Sequence, residues 1–506
     1  MGLYDFTFYD MIGRNAALFG DRPAWIELET GERTSFAAMR TEVDRLAAGL
    51  AQCGLTRGER IGVLAQNSLA YFLLYGAAAA LGAIVVPINW RLSAEEACFN
   101  LADTGPVILA ADAGFQDMLD ANRDKLPTVR HRFGMNRDGA WPALDTVKAD
   151  ADEDFSPPAA VSEDDGLVII HTAAVAGRPR GALLSHANLM CANLHWQYRL
   201  QMTPEDVHLN LLPLFHVGGL FLAASSFHAG ALNLNLRKFD AAAAAEAIEH
   251  YQATLMFDFS PILGNILNVP GRDLSSLRAV TGLDTSDTIE RYQERTGGTF
   301  YAMYGQTETS CIATYGPYND RPGAAGRPIA LADVRLVDAH DRPVPVGQLG
   351  EIAMRGPMVF KGYWNLPEDN AYTFRDGWHH TGDLGRFDAD GFLWYAGRKA
   401  DKELIKPGGE NVYPAEVEKA ILAHPAVAET VVFGVPDPKW KEGIKAVCVL
   451  APGQSLAAAE LIDFVGGRIA RYKKPRYVQF VEDLPRGKDG RPDRQRVKEI
   501  YGGPQE

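Results

Sequence analysis

Residues 171–186 read HTAAVAGRPRGALLSH, and two of their features could do chemistry. Gly177 and Gly181 let backbone N–H groups approach an anion, and Arg178 and Arg180 bring positive charge to it. A short apolar run, Gly166-Leu167-Val168-Ile169-Ile170, precedes the segment, and an Ala/Leu/Asn stretch of helical character follows it. Strand, turn and helix in that order predict a polyphosphate cradle at a helix N-terminus. Such a cradle usually carries Ser or Thr at the turn, whereas this one offers Ala173-Ala174-Val175-Ala176. Each missing hydroxyl forfeits about 1–3 kcal/mol if its bond would go to a charged oxygen.

Other stretches carry chemical side chains with equally good local explanations. YGQTETS, from Tyr304 to Ser310, predicts a capped helix start in which Thr307 and Thr309 satisfy backbone donors. HTGDLGRFDADGFLWYAGRK predicts two strands joined by an Asp-Gly turn, and GGENVYPAEVE a tight turn before a helix. His216, set between apolar residues in PLFHVGGL, reads by itself as a core histidine.

The elements that must position these residues belong to a chain too long for one core. Its 506 residues predict two or more domains. With 47% hydrophobic and 23% charged residues the composition is globular, and a net charge of −14 argues against a general nucleic-acid or membrane-surface role. Five scattered cysteines form no C-x-x-C pair, which fits a reducing cytoplasm rather than a disulfide framework or zinc site. The first twenty residues lack the basic-then-apolar pattern of a signal peptide. YFLLYGAAAALGAIVVPI is long enough to span a bilayer, but Gly82 and Pro87 divide it into a buried helix and a short strand.

Up to about residue 395, helical and strand-like segments alternate: FAAMRTEVDRLAAGLAQCG, RIGVLAQ, AEEACFNLADTG, PVILAAD. This predicts an α/β fold, with parallel-rich sheets covered by helices and a β-rich subdomain beginning near DVRLVDAHDRP. About a hundred further residues predict a small α+β C-terminal domain. The expected division is 1–397, a hinge at 398–402, and 403–506.

Order and spacing then tie the motifs together. A Gly/Arg turn near 177, Y-G-x-T-E near 305, W-x-x-T-G-D near 380, G-R near 398 and G-G-E-N-V-Y-P-x-E-V-E near 410 occur in sequence. Together with LGAIVVPINWRLSAEE and ARYKKPRYVQFVEDLP, they make nearly the whole chain resemble the adenylate-forming superfamily, in particular coumarate- and fatty-acyl-CoA ligases. The resemblance implies a two-step reaction on a fatty or aryl monocarboxylate. The acid and ATP give acyl-AMP and pyrophosphate, and the CoA thiol then displaces AMP. It implies ATP, Mg²⁺ and coenzyme A as cosubstrates and cofactor. A homodimer is compatible with it.

Carried over by position, the resemblance gives Glu308 to Mg²⁺, Thr307 to the α-phosphate and Asp383 to the ribose hydroxyls, with Arg398 supporting the ribose. Tyr304 would stack near adenine, with Gly282 to Asp284 along its edge, and Gly305 and Gln306 complete that nucleotide motif. Thr172, Gly177, Arg180 and Gly181 would contact pyrophosphate, and His216 would stand near the acyl pocket. The pivot between half-reactions would lie near Lys402 in a stretch about two residues longer than the family's. Where the family has its C-terminal adenylation lysine, this chain has Arg491, with Lys488 nearby. These departures leave two alternatives beside the CoA ligase: a ligase that loads a carrier protein, and a catalytically weak nucleotide- or acyl-CoA-binding protein.

Overall fold

In a computed structural model the described residues are 5–149, 155–157, 161–175, 178–399, 404–407, 410, 412–438, 440–487 and 492–503. Two compact units emerge. The first comprises Met1–Trp90, Leu101–Ile170 and Gly181–Gly397; the second comprises Arg91–Asn100, His171–Arg180 and Arg398–Glu506.

The first unit is built on two large sheets. In the nine-stranded sheet, the strands Thr299–Tyr304, Ala279–Leu283, Leu255–Phe259, Val207–Asn210, Leu232–Asn235 and Pro23–Glu27 run parallel side by side. Antiparallel strands close both edges. The seven-stranded sheet has the same character, with a parallel core from Gly166–Val175 through Ile84–Pro87, Arg60–Leu64 and Ile108–Ala111 to His131–Gly134. Parallel strands need crossovers, and the helices Leu69–Leu81, Val217–Ala229 and Ser286–Thr296 are among those that supply them, while Phe36–Gln52 and His186–Leu200 carry the chain from one sheet to the other. Trp196 shows how the layers lock: its ring meets Phe257 at 5.8 Å and Tyr315 at 5.2 Å, both edge-on.

The apolar run at 71–88 becomes the helix Leu69–Leu81 and the strand Ile84–Pro87. Among the described residues, no helix is long and apolar enough to cross a membrane. The β-rich expectation is met by an antiparallel four-stranded sheet of Asp333–Val337, Gly350–Arg355, His379–Phe387 and Leu393–Arg398. The second unit carries a three-stranded sheet, Val427–Asp437, Lys441–Leu450 and Tyr477–Val481, with helices Pro414–Leu422, Ala458–Gly466 and Arg494–Tyr501.

The segment 166–200 departs from expectation. After the strand Gly166–Val175 comes a second strand, Arg178–Ser185, and only then the helix His186–Leu200. The two strands are neighbours in the seven-stranded sheet, so a whole strand of about 25 Å separates the turn from the helix start. The helix N-terminus is also already satisfied. Ser185 Oγ accepts the Asn188 N–H (3.2 Å) while Asn188 Oδ1 accepts the Ser185 N–H (2.9 Å). The turn therefore lacks the helix-dipole contribution that strand–turn–helix order would have provided.

Candidate active site

The site assembles at the carboxyl ends of adjacent parallel strands, where α/β sheets bind ligands. Tyr304 ends one strand, Gly282 and Leu283 end the next with Asp284 directly after, and Phe259 ends the third. His216 follows the strand Val207–Asn210 and caps the helix Val217–Ala229, its Nδ1 accepting the Gly218 N–H at 3.2 Å. Its ring stands edge-on to Phe259 at 5.8 Å. Asp284 turns back on its own chain, with Oδ1 accepting the Thr285 N–H at 2.6 Å.

Beyond Tyr304 the chain folds into a short 3₁₀ turn, Thr307–Thr309, rather than the start of an α-helix. Thr309 Oγ1 accepts the Gln306 N–H at 2.9 Å, as the sequence predicts for this threonine. The turn closes so tightly that a Cβ on residue 305 would lie 1.9 Å from the Cys311 carbonyl oxygen, so only glycine fits. Ser310 and Cys311 both adopt positive φ (53° and 76°), a strained pair directly behind the acidic residue. Among the described residues the Thr307 hydroxyl makes no side-chain hydrogen bond, and Thr307 is half-buried. Burial pushes the Cys311 thiol up to about 12, so it is no nucleophile at neutral pH.

Two carboxylates define the centre. Asp383, 2% exposed, is gripped at Oδ2 by the Tyr304 hydroxyl (2.8 Å) and by Gln306 Nε2, which also donates to the Thr381 carbonyl (3.1 Å). The Tyr304 ring lies stacked against Tyr395 at 5.9 Å. Glu308, 7% exposed, accepts a hydrogen bond at Oε1 from the Tyr363 hydroxyl (2.8 Å), and among the described residues no cation pairs with it. A buried carboxylate held only by a neutral hydroxyl is costly unless a cation joins it, so the donor set fits a hard divalent ion that shares phosphate oxygens.

Tyr363 is a residue the sequence did not reveal. It sits 55 positions from Glu308, on a two-residue strand that pairs with the end of Arg178–Ser185 (Gly362 opposite Leu183, Tyr363 opposite Ala182). Next to it, the Trp364 N–H donates to the Gly181 carbonyl at 2.7 Å. Gly181 is thereby tied through one strand to the partner of Glu308. Only the tertiary pairing brings these residues together, and no local spacing signals it.

The remaining candidates lie in the second unit or outside the described residues. Thr172 Oγ1 donates to the Arg180 carbonyl at 3.3 Å, bracing one side of the turn. Arg398 donates from Nη1 to the Tyr413 hydroxyl at 2.5 Å. Gly177, Lys402, Lys488 and Arg491 fall outside the described residues.

Comparison with known proteins gives the family. The AMP-binding enzyme family matches residues 12–364, and the AMP-binding enzyme C-terminal domain matches residues 416–491. An indoleacetate–CoA ligase from Aromatoleum aromaticum is 35% identical over 503 residues, covering 97% of each chain. The crystal structure of a putative long-chain-fatty-acid CoA ligase from Rhodopseudomonas palustris shares 45% identity, with a TM-score of 0.75 over 78% of this chain and all of that one. A double mutant of o-succinylbenzoate CoA synthetase from Bacillus subtilis, bound with its product analogue, shares 27% identity and a TM-score of 0.87 over 98% of this chain and 99% of that one. The chain belongs to the AMP-binding enzymes. It is an AMP-forming acid–thiol ligase, using ATP, Mg²⁺ and coenzyme A.

Proposed function

We propose that this enzyme converts a fatty or aryl monocarboxylate to its CoA thioester. The acid's carboxylate oxygen attacks the α-phosphorus of ATP and pyrophosphate leaves. The CoA sulfur then attacks the acyl carbon, its thiol proton is lost and AMP leaves. The observation that carries the reading is the pair of buried carboxylates beside the end of the strand Thr299–Tyr304, one fixed by Tyr304 and Gln306, the other beside a lone hydroxyl. Asp383 accepts the ribose hydroxyls, as an ionised carboxylate can in pairs. Tyr304 stands against adenine, with Gly282 and Asp284 along its edge and Gly305 and Gln306 shaping the turn. Glu308 holds Mg²⁺, which when bound neutralises phosphate charge, and the Thr307 hydroxyl reaches the α-phosphate.

His216 orients the acid's carboxylate, and the neighbouring Phe257 and Phe259 make that end of the site apolar. Thr172, Gly177, Arg180 and Gly181 bind pyrophosphate through backbone amides and charge. Arg398 supports the ribose, and residues 398–402, with Lys402, form the hinge between domains 1–397 and 403–506. Arg491 or Lys488 supplies the cation that the family draws from a lysine. Five cysteines, all outside disulfides, support a reducing, cytoplasmic setting. The homodimer expectation gains no support from these observations.

The test is AMP release dependent on both acid and thiol, run across aliphatic and aryl acids at fixed ATP. AMP release with a carrier protein but not with CoA would replace the CoA reading. Arg491→Ala should slow acyl-AMP formation and spare thioester formation from supplied acyl-AMP. If Lys488→Ala does so instead, that lysine is the cation.

A further inference from the structure

The strand that carries Asp383 is not regular. Against the strand Gly350–Arg355, Leu384 stands opposite Glu351 and His380 opposite Ala353. Three residues, Thr381, Gly382 and Asp383, therefore face Ile352 alone. A bulge of this kind breaks the ladder and re-aims a side chain, and it leaves backbone groups that need other partners.

Those partners are side chains. Thr381 Oγ1 donates to the Ile352 carbonyl (2.7 Å) and accepts the Asp383 N–H (3.1 Å). Gly382, at φ +72°, turns its N–H onto Glu351 Oε1 at 2.9 Å. Glu351 is 4% exposed and comes from the facing strand, so it replaces the missing ladder bond with a charged acceptor.

Glu351 is itself fixed from behind. Its Oε2 lies 3.2 Å from Arg375 Nη2 and 3.4 Å from His380 Nδ1. Arg375 in turn forks onto Asp341 through Nε (2.7 Å) and Nη2 (2.9 Å), which holds the Asp341 carboxyl below the usual carboxylate range. Asp341, Glu351 and His380 lie close enough together to hold a metal, but the Arg375 guanidinium is already the cation among the two carboxylates.

We infer that Glu351 is a positioning residue for the nucleotide: through the Gly382 N–H it sets the bulge that aims the Asp383 carboxylate at the ribose. The inference rests on the ribose role proposed for Asp383. Tyr304 and Gln306 hold the carboxylate from one side, while Glu351 fixes the backbone from which it springs. Neither Glu351 nor Arg375 touches the substrate in this arrangement. Their effect is on ribose recognition.

The experiment compares ATP with 2′-deoxy-ATP and 3′-deoxy-ATP in wild type, Glu351→Ala, Glu351→Gln and Asp383→Asn. Wild type should prefer ATP by about tenfold or more in kcat/KM. Glu351→Ala should raise KM for ATP about tenfold and move the preference toward unity, with KM for the acid and CoA within about twofold. Asp383→Asn should lose the same preference, and Glu351→Ala combined with Asp383→Asn should lose little more, because both act on one contact. Glu351→Gln keeps an oxygen for the Gly382 N–H but loses its charge toward Arg375, so it should fall between. It carries the test if Glu351→Ala does not fold, although Asp341 still pairs Arg375 in that variant. A preference lost in Asp383→Asn but intact in both Glu351 variants overturns the inference. A preference intact in Asp383→Asn overturns the ribose reading itself, and the inference with it.

Discussion

The strand-end site and the glycine/arginine turn handle the same kind of ligand in the proposed reaction, yet they are built on opposite principles. At the strand ends the chemistry belongs to side chains. Asp383 and Glu308 are buried, and their hydrogen-bond donors come from Tyr304, Gln306 and Tyr363. In the turn, Thr172 is the remaining hydroxyl before the glycine, and it donates to the Arg180 carbonyl. The helix that follows begins a full strand later, with its first two N–H groups donating to the Asp165 and Glu163 carbonyls and the third capped by Ser185. A site of buried, braced carboxylates depends on each of its side chains, because a donor lost from it leaves a buried charged oxygen unsatisfied. The sequence shows the same contrast: YGQTE and TGD keep their carboxylates, whereas the turn carries Ala173-Ala174-Val175-Ala176.

That comparison can be broken most directly at Glu308. Glu308→Gln should lower acid-dependent pyrophosphate release by about 10²–10³-fold with little change in unfolding temperature, since the amide is isosteric but no longer a charged metal ligand. Near-normal release at limiting Mg²⁺ would remove Glu308 from the site. Asp383→Ala comes next. It should raise KM for ATP by roughly 10–150-fold, corresponding to about 1.5–3 kcal/mol for bonds to a charged group, and leave KM for the acid within a few-fold. An unchanged ATP dependence would make Asp383 an ordinary bulge residue.

Tyr363→Phe sharpens the contrast by removing one hydroxyl while keeping the ring packed against Phe360. The Mg²⁺ concentration giving half-maximal rate should shift by about three- to tenfold, because Glu308 then loses a neutral donor to its charged oxygen. A shift in acid KM instead would place Tyr363 in the acyl pocket. The smallest effect belongs to the turn. Thr172→Ala should change pyrophosphate release by no more than about threefold, the loss of one bond to a neutral carbonyl. A loss approaching that of Glu308→Gln would show that the turn still acts through side-chain hydroxyls, and the contrast between the regions would fall.

The sequence by itself determined the elements and the chemical inventory. Periodicity and breakers placed the helix Leu69–Leu81 and the strand Ile84–Pro87, because an alanine-rich helix and a β-branched run have different local preferences. Motif order singled out Tyr304, Gln306, Glu308 and Asp383 as side chains suited to the proposed chemistry. Tertiary structure decided which groups meet. Local pattern gave strand, turn, helix for residues 166–200, but the sheet drew Arg178–Ser185 into a strand beside Gly166–Val175, where its backbone finds ladder partners. Tyr363 reaches Glu308 across 55 residues, and Glu351 reaches Gly382 across 31. Such contacts leave no periodic trace, because a buried carboxylate selects its donor by position in space, and that position exists only after two sheets have closed around it.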